Sequence, residues 1–146
     1  MNQINSEIIK QAFSQYGIAE IVGNDHNPIV LGYYKEAGHS WVSNDETPWC
    51  AAFVCAMLGR ANVQSTRKLN ARSFLTWGVR VTDNPTIGDV VVLWREVIAG
   101  AKGHVGFYIH QDEKYIYLLG GNQGNKVCVE RYDINRVLDI RRYDMV

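Results

Sequence analysis

The residue pattern of this chain changes near Pro85, and that change constrains the fold more than any other feature. Before it, apolar residues recur at helical spacing. After it they follow a two-residue period in short runs of β-favouring residues. Glycine and asparagine separate the later runs, as they commonly do between strands. Helices followed by strands favour the α+β class, with the N-terminal helices packed on an antiparallel sheet of about five strands.

Four helices are predicted in the first part, over residues 6–16, 28–37, 48–58 and 70–77. Asn27 before Pro28 is a typical helix start, and Gly17 and Gly38 are typical helix ends. Strands are predicted over residues 89–94, 104–110, 114–119, 126–131 and 137–142, with the GGNQGN stretch at 120–125 read as a turn. A chain of 146 residues is expected to form one catalytic domain over residues 1–146.

Charge and cysteine content exclude several classes of protein. Fifteen basic and fifteen acidic residues cancel, which gives no reason to expect nucleic acid or an anionic membrane as partner. Three cysteines are too few, and odd in number, for a disulfide framework, so free thiols are predicted. The N-terminus lacks a signal-peptide pattern, and no apolar run reaches the ~18 residues of a membrane span. Synthesis in the cytoplasm is therefore expected.

The stretch TPWCAAFV at residues 47–54 places Cys50 in the first turn of an otherwise apolar helix. Thr47 is predicted as the N-cap, and Pro48 suits the first helical position. Unpaired amides and the positive end of the helix favour a thiolate there. Cys50 is therefore the candidate nucleophile.

A nucleophilic cysteine needs a base and a third group that orients the base. His26 and His39 lie in loop or helix-end positions, and His110 is too far along its strand from His104 to share one small site. His104 is the candidate base, because Gly106 beside it leaves room for a neighbouring side chain. The alternative is a solvated histidine at the start of an edge strand.

Three segments in order, TPWCAAF at 47–53, GDVVVLW at 88–94 and GHVGFY at 103–108, are followed by GGNQ at 120–123. Together they resemble the NlpC- and CHAP-type cysteine hydrolases, papain-like enzymes that cut peptidoglycan. The resemblance covers about residues 17–141 and implies Cys50 as nucleophile, His104 as base and Asn122 as the residue that orients the imidazole. Many CHAP enzymes have a glutamate two residues before that asparagine, where this chain has Gly120. Asn122 or Gln123 must then act alone, and Asn122 could instead be a turn residue.

The implied function is a peptidoglycan hydrolase that cleaves an amide bond of the stem peptide, as an endopeptidase or an N-acetylmuramoyl-L-alanine amidase. No cofactor and no metal are expected, because no two Cys or His residues have the spacing of a structural metal site. Candidate substrate contacts are Trp49, Tyr33, Arg72 and Gln123, although residue type favours core or rim positions for the two aromatic residues and a surface position for Arg72.

Without an export signal, such an enzyme would be a phage lysin or an injected antibacterial effector that acts at the cell wall or periplasm. Its partners would be peptidoglycan and an export pore, a secretion machine or an immunity protein. Two alternatives stay open. One is a non-catalytic peptidoglycan-binding or phage/secretion-assembly component, and the other is a cytosolic thiol amidohydrolase with a different substrate.

Overall fold

The computed structural model describes residues 2–21, 26–42 and 48–144, and its helices precede its sheet. Helices α1 (Gln3–Phe13), α2 (Pro28–Glu36) and α3 (Cys50–Arg60) are followed by a 3-10 helix (Ala71–Thr76). The strands are β1 (Val79–Arg80), β2 (Val90–Trp94), β3 (Gly103–Gln111), β4 (Tyr115–Gln123), β5 (Lys126–Asp133) and β6 (Val137–Arg142), with a 3-10 turn (Ile134–Arg136) before β6. Neighbouring strands are antiparallel in the order β1-β6-β2-β3-β4-β5. The predicted α+β class is confirmed, with the short β1 as an additional strand.

The start of α3 differs from the prediction. The helix begins at Cys50, and Trp49 occupies the N-cap position without a side-chain cap hydrogen bond. The predicted start at Pro48 was therefore wrong, and the predicted Thr47 cap lies outside the described residues. Cys50 is thus the first helical residue, where its own N–H is one of the amides that lack a partner within the helix.

Capping side chains explain where the other two helices begin. Asn2 accepts from the Asn5 N–H at 2.7 Å, so α1 starts earlier than residue 6, the predicted start. Asn27 accepts from the Ile29 N–H at 2.8 Å, and α2 begins at Pro28 as predicted. Within residues 2–21, 26–42 and 48–144, no helix has the length and apolar character needed to cross a membrane.

Helix α3 forms the centre of the core and holds Cys50 against the sheet. Every residue of α3 from Cys50 to Leu58 is buried, as the apolar sequence predicted. The Phe53 ring meets the Tyr33 ring of α2 at 5.3 Å and the Phe107 ring of β3 at 6.3 Å, both edge-on. Buried aromatic contacts on both sides therefore fix the end of the helix that bears Cys50.

A buried carboxylate joins α1 to the sheet. Asp89 is 1% exposed and accepts two hydrogen bonds from the Arg142 guanidinium, each of 2.8 Å. It also accepts from the Asn5 side-chain amide at 2.9 Å and from the Thr86 N–H at 2.8 Å. A buried charge requires such partners, because its desolvation is costly.

We expect Arg142→Ala to lower the free energy of unfolding by about 2–3 kcal/mol, because it leaves the Asp89 carboxylate buried without its cation. The control is Arg80→Ala, since the Arg80 side chain is 66% exposed where it pairs with Asp139. That change should cost no more than about 0.5 kcal/mol. Urea unfolding measures both, and equal losses would contradict the assignment.

Candidate active site

The structure brings together the two residues predicted as nucleophile and base. Cys50 begins α3 and His104 is the second residue of β3, and each is 7% exposed. Their side chains hydrogen-bond, and the sulfur also accepts from the backbone amides of Ala51 and Val105. Cys50, Cys55 and Cys128 are all free thiols, as predicted.

The environment of the pair favours its charged form. Burial by itself raises the pKa of the Cys50 thiol, but the charge of His104, its hydrogen bond and the two backbone amides hold that pKa below its ordinary value. Burial by itself lowers the pKa of His104, but the charge of Cys50 and the hydrogen bonds to Cys50 and Gln123 raise it above its ordinary value. Both shifts favour the thiolate–imidazolium form of the pair over the neutral form.

We expect the alkylation rate of Cys50 to rise with pH about a midpoint below the ~8.5 of a free cysteine. The midpoint lies below that of a free cysteine because the lowered pKa of Cys50 populates the nucleophilic thiolate at a lower pH. Iodoacetamide labelling at a series of pH values, with the Cys50 peptide quantified by mass spectrometry, measures the midpoint. A glutathione standard in the same tubes provides the comparison, and a midpoint at or above that of glutathione would contradict the ion pair.

Gln123 orients the imidazole ring. Its Oε1 lies 2.9 Å from His104 Nε2, while its Nε2 donates to the carbonyls of Leu118 at 3.1 Å and Cys128 at 2.7 Å. A carbonyl oxygen can only accept a hydrogen bond, so the NH₂ group of Gln123 must face the two carbonyls. The amide oxygen of Gln123 therefore faces the ring. His104 Nε2 must therefore carry a proton and donate it, which leaves Nδ1 as the nitrogen for the thiol.

The assignment of the ring contact to Asn122 was wrong, and a β-bulge explains the error. Gly120 pairs with Cys128 but Gln123 pairs with Lys126, so β4 contains one extra residue between these two pairs. Asn122 adopts a positive φ of 59° at the bulge. The extra residue turns Gln123 to the face of Gly120, where the ring lies, and Asn122 lines the adjacent cleft instead. Residues 120–123, predicted as a turn, belong to β4.

Gly120 makes room for the Gln123 amide. A Cβ at Gly120 would lie 2.6 Å from Gln123 Oε1 and 3.1 Å from Gln123 Cδ. The residue at which this chain departs from the CHAP pattern thus leaves the space that the inward-turned glutamine fills. The glycine at position 120 is therefore what allows the Gln123 side chain to contact His104.

Three of the predicted substrate contacts are buried and cannot reach a substrate. Tyr33 and Trp49 are 0% exposed and stack at 5.9 Å. The Tyr33 hydroxyl donates to Gln15 Oε1 at 2.8 Å, and Trp49 Nε1 donates to Glu20 Oε2 at 3.2 Å. Gln123 is 2% exposed and contacts His104. The core interpretation of the two aromatic residues was the right one, because their polar atoms have partners within the fold.

Arg72 positions a loop and does not contact the Cys50–His104 pair. Its guanidinium donates to the carbonyls of Val97 at 3.0 Å, Ile98 at 2.8 Å and Lys102 at 2.9 Å. These bonds use Nε and both terminal nitrogens, and Arg72 lines neither of the two clefts that contain Cys50, so its position does not support the predicted substrate contact. Arg72 fixes the segment between β2 and β3, part of which lines a cleft that contains Cys50.

Two clefts flank Cys50. The Tyr132 cleft, of about 250 Å³, contains Cys50 and His104 and is otherwise lined by Arg95, Asn122, Asn125, Tyr132 and Arg136. The Ala71 cleft, of about 340 Å³, contains Cys50 but not His104, and its other lining residues are Pro48, Leu69, Asn70, Ala71, Arg95, Ala101, Lys102 and Gly103. A bound chain can therefore extend to both sides of the sulfur.

Sequence reasoning missed the polar residues of the Tyr132 cleft. Tyr132 lies near the end of β5, and its hydroxyl is 3.2 Å from His104 Nε2. Arg136 lies in the 3-10 turn before β6, and Arg95 directly follows β2. No local pattern relates these residues. The turn Ile134–Arg136 leads from β5 into β6, and the first residue of β6, Val137, pairs with Leu93 of β2, which also pairs with His104.

Two other histidines, His39 and His110, have partners outside the pair. His39 Nε2 contacts the Arg67 carbonyl at 2.7 Å, and the His110 ring lies 5.7 Å from the Tyr117 ring in a tilted arrangement at the exposed end of β3. In the part of the chain that the structure describes, no group of three or more His, Cys, Asp or Glu side chains could hold a metal ion.

The chain has the fold of solved NlpC/p60 domain proteins, in agreement with the fold that the resemblance drawn from the sequence implied. RipA, a resuscitation promoting factor interacting protein solved as a variant mutated at H432, superposes with a TM-score of 0.60 at 15% identity, over 97% of this chain and 62% of RipA. NlpC1 from Trichomonas vaginalis gives a TM-score of 0.58 at 16% identity, over 95% of this chain and 44% of that protein.

A third similar structure is RipD from Mycobacterium tuberculosis, described as a non-catalytic NlpC/p60 domain protein adapted to peptidoglycan binding. It gives a TM-score of 0.55 at 14% identity, over 97% of this chain and 98% of RipD. No protein-family model and no curated protein matches the sequence. At these identities the likeness establishes the fold.

Proposed function

We propose that this protein hydrolyses an amide bond in the stem peptide of peptidoglycan through a Cys50 thiolate. The observation that carries the proposal is the buried Cys50–His104 pair, with the pKa of Cys50 lowered and that of His104 raised, at the junction of two clefts. Structures of the same fold include a protein described as peptidoglycan-binding, which supports the choice of substrate.

In the proposed reaction, the Cys50 sulfur attacks the carbonyl carbon of the amide, and the Cys50 N–H at the helix start stabilises the developing oxyanion. The imidazolium of His104 transfers its Nδ1 proton to the amide nitrogen. The carbon–nitrogen bond then breaks, which releases an amine and leaves a thioester on Cys50. Neutral His104 next removes a proton from water, which attacks the thioester and regenerates the thiolate with a carboxylate product. Gln123 keeps the ring in the orientation that both transfers need.

The test is digestion of purified sacculi by the wild-type protein, by Cys50→Ala and by the control Cys55→Ala. Cys55 is a second buried thiol in the same helix, five residues from Cys50 and without a role in the reaction. We expect the wild type and Cys55→Ala to release muropeptides with new amino termini, and Cys50→Ala to release none. A terminus at the lactyl–alanine junction identifies an amidase, and one within the stem or cross-bridge identifies an endopeptidase.

A second candidate function is non-catalytic peptidoglycan binding, which the likeness to RipD favours. Sacculi that bind the wild-type protein without release of muropeptides would select this function. Two further hypotheses stay predictions. One is a lytic role, either as a phage lysin or as an injected effector, and the other is hydrolysis of a cytosolic amide.

A further inference from the structure

The Tyr132 cleft has two arginines among its lining residues: Arg95 also lines the Ala71 cleft, and Arg136 lines the Tyr132 cleft but not the Ala71 cleft. No carboxylate of the described chain lines the Tyr132 cleft, although the chain as a whole has no net charge. Glu96, the acidic neighbour of Arg95, pairs instead with Lys102 of the Ala71 cleft at 3.1 Å. Among the described residues, neither arginine of the Tyr132 cleft forms an ion pair. The cleft therefore presents two uncompensated positive charges beside the reactive pair.

Arg136 is held in place with part of its guanidinium unused. Its Nε donates to the Trp94 carbonyl at 3.2 Å, and its guanidinium lies over the Tyr132 ring at 5.3 Å. The Trp94 side chain in turn donates to the Asn135 carbonyl at 3.1 Å, which fixes the turn that carries Arg136. Within residues 2–21, 26–42 and 48–144, the two terminal nitrogens of Arg136 have no hydrogen-bond partner. They form the fork that suits a carboxylate.

The remaining polar groups of the cleft can also donate. Because His104 Nε2 already donates to Gln123, the Tyr132 hydroxyl can only accept from that nitrogen, and its own proton is left for a ligand. Burial, and then the charge of Glu130, raise the pKa of Tyr132, which keeps the hydroxyl protonated. Asn122 and Asn125 add side-chain amides at the same cleft.

The position of His104 relates this cleft to the two sides of the scissile bond. His104 lines the Tyr132 cleft and not the Ala71 cleft. Because His104 must protonate the leaving nitrogen, the amine half of the substrate lies in the Tyr132 cleft and the acyl half extends into the Ala71 cleft. This assignment of halves rests on the proposed function.

We propose that the Tyr132 cleft binds a free carboxylate on the amine side of the scissile amide, through Arg136 and Arg95. The ligand class is an acidic peptide, such as a stem peptide that carries unamidated carboxyl groups. Arg136 forms a bidentate contact, while Arg95, which is exposed, adds charge at the entrance.

The test measures binding in a Cys50→Ala background, so that cleavage does not interfere. Its probes are muropeptide monomers prepared from sacculi with a muramidase, either untreated or converted to carboxamides with carbodiimide and ammonia. Dissociation constants are measured by NMR titration for Cys50→Ala and for the same protein with Arg136→Gln, Arg95→Gln or the control Arg131→Gln. Arg131 is an exposed arginine of β5 that lies over the Tyr115 ring, outside both clefts. Circular dichroism verifies that each variant is folded.

We expect the untreated probe to bind about tenfold or more tightly than the amidated probe, the ratio given by one charge-assisted contact. The ratio should approach one with Arg136→Gln, fall partly with Arg95→Gln and stay unchanged with Arg131→Gln. The carboxylate-dependent shifts should occur at the side-chain amides of Asn122 and Asn125, and not at that of Asn70 in the Ala71 cleft.

The carboxylate site would be overturned by equal affinities for the two probes or by no binding of either probe. It would also be overturned if the affinity ratio stayed unchanged with both Arg136→Gln and Arg95→Gln, or if the carboxylate-dependent shifts occurred at Asn70. Digestion of sacculi by the wild-type protein is scored separately. An affinity that depends on the free carboxylates, without digestion of sacculi, would support the carboxylate site and reject the proposed hydrolysis. Digestion of sacculi, without a difference in affinity between the two probes, would support the hydrolysis and reject the carboxylate site.

Discussion

Replacement of His104 by alanine is expected to lower the rate of muropeptide release by about 10³-fold, because it removes both the proton donor for the leaving amine and the base for water. It should also raise the pKa of Cys50 above that of a free thiol. Burial, the largest influence on that thiol, raises the pKa, and without the charge and hydrogen bond of His104 only the backbone amides of Ala51 and Val105 oppose it. The alkylation midpoint of Cys50 should therefore move to higher pH in the variant.

The matched control is His110→Ala, on the same strand but exposed and distant from Cys50. Release by this variant should stay within about twofold of the wild type, as is usual for surface substitutions away from a site. An unchanged alkylation midpoint in His104→Ala would contradict the ion pair. Full activity in that variant would contradict the role of His104 in proton transfer.

The second large effect concerns the glutamine that orients the ring. Gln123→Ala is expected to lower the rate of release by about 100-fold, because a ring free to rotate no longer holds Nδ1 against the sulfur. Gly120→Ala should lower it in the same way, since the new Cβ would lie 2.6 Å from Gln123 Oε1 and displace the amide. Both substitutions remove the same contact, so the double variant should be no slower than Gln123→Ala alone.

Gly32→Ala serves as the control for the glycine substitution, because a Cβ at this position in α2 would meet nothing within 4 Å. Additive losses in the double variant would show that Gly120 acts independently of Gln123. A wild-type rate for Gln123→Ala, measured with the variant folded, would exclude Gln123 as the orienting residue.

The sequence predicted those features of the site that depend on local pattern. The apolar stretch after Cys50 predicted a buried helix, and the order of the cysteine, the glycine–histidine strand and the GGNQ segment predicted the partner of Cys50. The boundary of α3 was less predictable, because Pro48 suits the first helical position by its own conformation whereas the helix in fact begins at Cys50.

The third member of the site could not be predicted, because one inserted residue in β4 decides it. Asn122 and Gln123 are adjacent and can both orient an imidazole, but a bulge reverses which of the two faces His104. Such an insertion is set by pairing with β5, a relation between segments that a local pattern does not contain. The same reason applies to Tyr132 and Arg136, which reach the site because the turn after β5 leads into β6 beside the end of β2.

The substrate contacts were mispredicted because residue type does not reveal which partners a side chain has. Tyr33 and Trp49 have apolar rings and one polar atom each, which suits a carbohydrate-binding surface as well as a core with one hydrogen bond. Arg72 could equally bind a ligand or, as in this fold, three backbone carbonyls of one loop. Only the tertiary contacts distinguish these cases.

The most direct test of the account is the release of soluble muropeptides from purified sacculi, followed in the same tubes as the fraction of protein that pellets with the wall. The account predicts that the wild-type protein releases muropeptides with new amino termini, and that Cys50→Ala pellets with the wall but releases none. Sacculi that stay intact with folded wild-type protein, or equal release by the two proteins, would contradict hydrolysis by the Cys50–His104 pair.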